Sequence, residues 1–195
     1  QFQLDEERSR GLDFIEDLAA PGVLTWDLAA GDAVWLLEGG RVAGTEPRPD
    51  GSAEDVYTAL RSAEQRRRRR FPSRLHRAAD AYLVDRGAGR TIIAGYPWFT
   101  DWGRDTFIAL RGLCIATERL DEARAILLEW AGAVSEGMLP NRFVEAGDAP
   151  EFNAVDASLW YVIGVHEYLE AMTARKKRVS RADRLTLTTA VEAIL

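Results

Sequence analysis

Sulfur and imidazole are scarce in this chain, and both scarcities exclude something. Among 195 residues there is one cysteine, Cys114, so no internal disulfide can form. Its setting, ALRGLCIAT, is that of a small apolar core residue rather than a nucleophile. The two histidines, His76 and His166, lie 90 positions apart with no cysteine or acidic partner at ligand spacing, so neither a zinc site nor any other metal is expected. Long apolar runs are missing as well. None approaches the roughly 20 residues that cross a bilayer, and the opening QFQLDEERSRG has neither a basic start nor an apolar core of a leader. A cytoplasmic protein without membrane attachment is expected. No G-x-G-x-x-G or G-x-x-x-x-G-K-[ST] pattern is present, which leaves no phosphate-binding loop and no nucleotide cofactor to expect. Ser135 and Ser158 have no histidine in a recognisable arrangement for nucleophilic catalysis, and His166, on what reads as the apolar face of its helix, is expected in the core.

What is present is the composition of a globular domain, 47% apolar and 29% charged. The net charge of -6 is unevenly spread: residues 61 to 77 hold eight arginines against one glutamate. Clustered arginines can neutralise phosphates. Five consecutive ones, Arg66 to Arg70, instead point all round a helix, and no aromatic lies among them for base stacking. A solvated or interdomain helix is expected, and no nucleic-acid partner.

Residues 21 to 46 contain VLTWDL and AVWLLEGGRVAG, broken by Gly31 and Gly39-Gly40 in the manner of hairpins. They read as the edge of a β-rich region. TEPRPDGSAED then reads as a linker into a helix capped by Ser52. From there apolar residues recur at i, i+3, i+4 over about 53–70, 73–86, 103–117, 120–136, 154–173 and 181–195, predicting helices. The faces expected to be buried include Leu75, Ala78, Ala79 and Tyr82 in the second, and Leu159, Val162, Ile163, His166, Tyr168 and Leu169 in the fifth. Segments 87–102 and 137–153 are long and irregular, as functional loops are. Ser180 caps the last helix, which stops without a C-cap. The 195 residues are therefore expected to belong to a longer polypeptide, with 1–50 ending one domain and 51–195 beginning another.

Two stretches concentrate chemistry. GYPWFTDWGRDTFIALRG mixes five aromatics with Asp101, Arg104 and Asp105. On a helix opening at Asp101 these three share a face, so Arg104 is expected beside both carboxylates, holding them ionised. Ionised carboxylates with flat rings such as Trp98 and Trp102 suit a pyranose, which has C–H faces to cover and hydroxyls to satisfy. The second stretch, GMLPNRFVEAGDAPEFNAVDASLWYVIGVHEYL, supplies Asn141, Arg142 and Asn153 from a loop, then Asp156 with Trp160 one turn on. Held against an indole, Asp156 is expected to be desolvated, with a raised pKa that suits proton donation. Negative charge in a first helical turn is the competing reading. Glu145, Asp148 and Glu151, beside glycine and proline, are expected in solvent.

PWFTDWGRDTFIALRGL and LPNRF…FNAVDASLWYV closely resemble the amylo-α-1,6-glucosidase domain of glycogen debranching enzymes. The likeness is clear over about residues 70–170. It implies a mainly α fold, part of an (α/α) toroid of the six-hairpin glycosidase type, preceded by the end of a β-sandwich-like domain. It also implies release of glucose from α-1,6 branch points of glycogen or another branched α-glucan by inverting acid/base hydrolysis. By motif position Asp156 is the general acid, and Asp101, Arg104 and Asp105 hold the terminal glucose between Trp98 and Trp102. Asn141, Asn153 and Trp160 complete the substrate contacts. The general base is expected beyond residue 195, with Asp105 as a fallback. Trehalase-like or glucosylglycerate-type toroid hydrolases, or a non-catalytic glucan-binding module, would carry similar features.

Overall fold

The computed structural model describes residues 2–17, 22–33, 51–87, 89–96, 99–143 and 150–195. The chain divides into two compact units, Gln1–Pro72 and Ser73–Leu195. In the first, two-residue strands β1 (Phe2–Gln3) and β2 (Ile15–Glu16) pair antiparallel around a short helix, α1 (Asp5–Ser9). Residues 22–33 form no strand, so VLTWDL is not the β-edge its composition predicts; the rest of that reading, 34–46, lies outside the described residues. Helix α2 (Ala53–Arg69) starts where expected. Ser52 Oγ accepts from the Asp55 N–H while the Asp55 carboxylate accepts from the Ser52 N–H, a reciprocal cap. Near its end Glu64 accepts from Arg67 and Arg68, which pull its carboxyl down to about 2. The arginine run is exposed, as a solvated helix requires.

The second unit is mainly helical. Helix α3 (Arg74–Asp80) is shorter than the periodicity predicts, because Leu83–Arg86 forms a strand, β3, paired antiparallel with β4 (Gly89–Ile92) from Leu83↔Ile92 to Arg86↔Gly89. The β-branched Val84, Thr91 and Ile92 flank a turn at Gly87, whose φ of 54° favours glycine. Leu75 is 81% exposed; Leu83 and Ile92 go inside instead.

Helix α4 (Gly103–Leu110) runs into a π-helical turn, Arg111–Ile115, in which the Ala116 N–H reaches back to the Arg111 carbonyl. Then come α5 (Leu120–Ala131), α6 (Val155–Ala174) and α7 (Arg181–Ile194), capped by Ser180. No helix among the described residues is long and apolar enough to cross a membrane.

Phe107 of α4 is the centre of the core, with Trp130 of α5 and Tyr161 of α6 each edge-on to it at 5.2 Å. Such pairs add about 0.5–1.5 kcal/mol each beyond area burial. The buried Tyr161 hydroxyl donates to the Leu127 carbonyl at 3.1 Å, and Cys114 is fully buried, its thiol pushed up to about 12 by desolvation. It is therefore not a reactive thiol. Helix α6 buries Tyr161, Val165 and Tyr168, leaving Leu159, Ile163 and His166 outside. His166 is thus not the core histidine expected; its ring faces Glu170 at 3.4 Å on the surface. Apolar residues on most sides of α6 made its buried face ambiguous.

Two ion pairs fix the direction of α4 against α6: Arg104 meets Asp156, and Arg111 meets Glu167. Both helices advance together, so they are parallel, with their N-termini at the same end. Arg124 of α5 grips Asp183 of α7 through two hydrogen bonds of 2.9 and 2.7 Å.

Candidate functional site

The shared N-terminal end of α4 and α6 is where the two chemistry-bearing stretches meet. Helix α4 begins at Gly103, where its apolar periodicity places it, with Trp102 as its N-cap in extended backbone, so the helix does not open at Asp101. That start separates Asp101 from the other two charges. Asp101 is 2% exposed and faces Arg86 of β3 at 3.1 Å, while Arg104 turns to α6. The expected Arg104 bridge to Asp101 does not form. Burial pushes the Asp101 carboxyl above its ordinary value, with Arg86 pulling the other way, so the shift runs opposite to the one expected from a flanking arginine. The Arg86 guanidinium in turn lies 4.3 Å from the Phe143 ring centre, a cation–π contact.

Arg104 donates to Asp156 through two nitrogens, Nε to Oδ2 at 2.5 Å and Nη2 to Oδ1 at 3.0 Å, a bidentate fork. This pair is half in solvent. Hydrogen bonding from Arg104 holds the Asp156 carboxyl below its ordinary value. The raised pKa expected from Trp160 is thereby corrected: Trp160 is partly buried against the core, with Arg111 near its ring at 5.7 Å, and the arginine governs Asp156. Asp105 is exposed one residue on. With Arg104 it lines a groove of about 480 Å³ whose apolar walls include Tyr82, Ile92, Ile93, Ile108 and Leu113.

The loop into α6 is stitched to the start of α4. The Gly103 N–H donates to the Asn141 carbonyl at 2.8 Å, and Trp102 and Arg142 form an antiparallel bridge. Leu139 N–H binds Ser158 Oγ at 2.9 Å. Asn141 closes the loop on itself: its N–H meets the Glu151 carbonyl at 2.7 Å, and its side-chain amide bonds to Asn153. Asn153 precedes the N-cap, Ala154, and does not share a helical face with Asp156. Glu151 is exposed as expected; Trp98, Glu145 and Asp148 lie outside the described residues.

Arg104, Asp105 and Asp156 are thus gathered at the helix ends, Trp102, Asn141 and Asn153 build the seam between the loop and the start of α4, and Asp101 is internal. Arg86 was missed by sequence reasoning. Its signal was the LVDRGAGRTII pattern, β-branched residues around a glycine turn, which places Arg86 on a hairpin.

Parallel helices presenting a carboxylate, an arginine and amide side chains at one end are in keeping with an α-rich glycosidase domain. The chain belongs to the amylo-alpha-1,6-glucosidase family, which matches it over residues 77–193, more than half its length. It is also 39% identical over 84 residues to the glycogen debranching enzyme of Saccharomyces cerevisiae, an alignment covering 40% of this chain and 5% of that protein. The chain therefore spans a small part of that relative. No solved structure matches it.

Proposed function

We propose that this chain is part of a longer cytoplasmic polypeptide that releases glucose from α-1,6 branch points of glycogen-like glucans by inverting hydrolysis. In this reading residues 51–195 begin an (α/α) toroid, residues 1–50 end a β-rich domain and its linker, and the parallel α4 and α6 are neighbours in one ring of helices. The observation that carries it is the bidentate Arg104–Asp156 pair, which joins the family's two motif stretches at one open helix end. Asp156 is the general acid, Arg104 and Asp105 bind the terminal glucose, and Trp98 and Trp102 shape its walls. A second carboxylate from elsewhere in the polypeptide activates water.

Protonation sets a condition on this assignment. An acid must carry its proton at working pH, and Arg104 opposes that in the free site. Bound glucose must therefore take hydrogen bonds from Arg104 and exclude water from Asp156, so that desolvation raises its pKa. The same ion pair favours a second reading, a glucan-binding site in which Asp156 stays ionised and accepts from sugar hydroxyls.

The test is glucose release by the full-length protein from a glucan trimmed to single-glucose α-1,6 stubs, beside Asp156→Asn. Turnover lost with binding retained supports the acid; binding lost in proportion supports the binding module. Unchanged release removes Asp156 from the site, and release from trehalose or glucosylglycerate instead of the stubs would favour the toroid relatives.

A further inference from the structure

We infer that Arg86 and Asp101 form an internal clamp that positions the glucose-binding end of α4, so that neither residue touches substrate. This rests on the glucosidase reading and adds a positioning residue, Arg86, that lies outside both motif stretches. Asp101 is adjacent to Trp102, the residue that starts α4, and is almost wholly buried. Arg86 reaches it from β3 at 3.1 and 3.4 Å. The same guanidinium stacks on Phe143, and Phe143 packs on Trp130 at 4.2 Å. One side chain thus joins the hairpin, the loop before α4 and the loop before α6.

Between those loops run the Trp102–Arg142 bridge and the bond from Gly103 to Asn141. Arg142 lies 6.0 Å from the Trp102 ring centre, so the same seam carries a cation over the indole. Two residues past Trp102, Arg104 must meet an aspartate carried by the other helix. Loosening Asp101 therefore changes where the Arg104 fork stands relative to Asp156. A misplacement of about 1 Å in a reacting constellation costs on the order of 100-fold in rate.

Four forms of the full-length protein test this: parent, Arg86→Gln, Arg86→Lys, and Leu187→Ala as a control that loosens the core in α7 away from the clamp. Each is labelled with 5-fluorotryptophan, the Trp102 resonance being assigned by its loss in Trp102→Phe. The clamp predicts that Arg86→Gln lowers kcat about 10- to 100-fold, leaves KM within a few-fold and shifts the Trp102 fluorine signal. Arg86→Lys, which keeps the charge, should recover part of both. Leu187→Ala should lower thermal stability without moving that signal. The inference is overturned if Arg86→Gln leaves the Trp102 signal in place and loses activity only as its thermal stability falls, as the control does. A parent that releases no glucose sinks the glucosidase reading instead, and the Trp102 signal then decides the clamp alone.

Discussion

The ionisation of a carboxylate near a tryptophan depends on which neighbour is closer to its oxygens. Asp156 has an indole one turn along its own helix, and from sequence that neighbour predicts a raised pKa. Arg104, 52 positions earlier in the chain, reaches both oxygens and reverses the direction. Asp101 errs the other way: the nearby arginine was expected to ionise it, and burial dominates. In both cases the residue type was legible and the partner was not, because long-range pairing is decided by packing. Replacing Arg104 by Gln removes the positive neighbour while keeping an amide in its place. The Asp156 carboxyl should then titrate at higher pH than in the parent, by carboxyl-carbon NMR. An unchanged midpoint would mean that Arg104 does not govern it.

Helix existence was more legible than helix contact. Ser52 and Ser180 announce their helices through side-chain oxygens that accept the N–H three residues on, a local rule that survives folding. The β3–β4 hairpin was masked because its residues continue an apparent helical period. The buried face of α6 was misread because tertiary packing chose among several apolar stripes. Close approach of α4 to α6 depends on Gly103, where an added Cβ would stand 3.3 Å from the Trp130 ring and 3.4 Å from both Ala157 Cβ and the Pro140 carbonyl. Gly103→Ala should therefore destabilise by roughly 1–3 kcal/mol through overpacking, less the modest gain in helix propensity. Urea denaturation measures that loss, and the same variant should weaken the Arg104–Asp156 contact by pushing the helix ends apart. A neutral or stabilising result would show that the two helices have slack at this point.

At the scale of the molecule, acid stability combines carboxylates shifted in opposite directions. Asp183 is lowered, chiefly by Arg124 and the Ser180 hydroxyl, and Asp156 is lowered by Arg104. Each contributes stability that is present above the unfolded value of 3.8 and is lost as pH falls through its folded value. Asp101 is raised, so its folded form takes up a proton before the unfolded chain does. Its contribution therefore grows as pH falls from the raised folded value towards 3.8, and shrinks again as pH rises. Denaturation midpoints of the parent, followed downward from neutral pH, should hold or rise slightly until about the ordinary aspartate range and then fall. Asp101→Asn removes the titrating group and should abolish the early rise while keeping the later fall. Asp183→Asn should lose roughly 1–2 kcal/mol at neutral pH, a charge-assisted bond discounted for the half-exposed Arg124, and that deficit should close below pH 3.8. A deficit that persists unchanged in acid would assign the effect of Asp183 to packing at the start of α7 rather than to its charge.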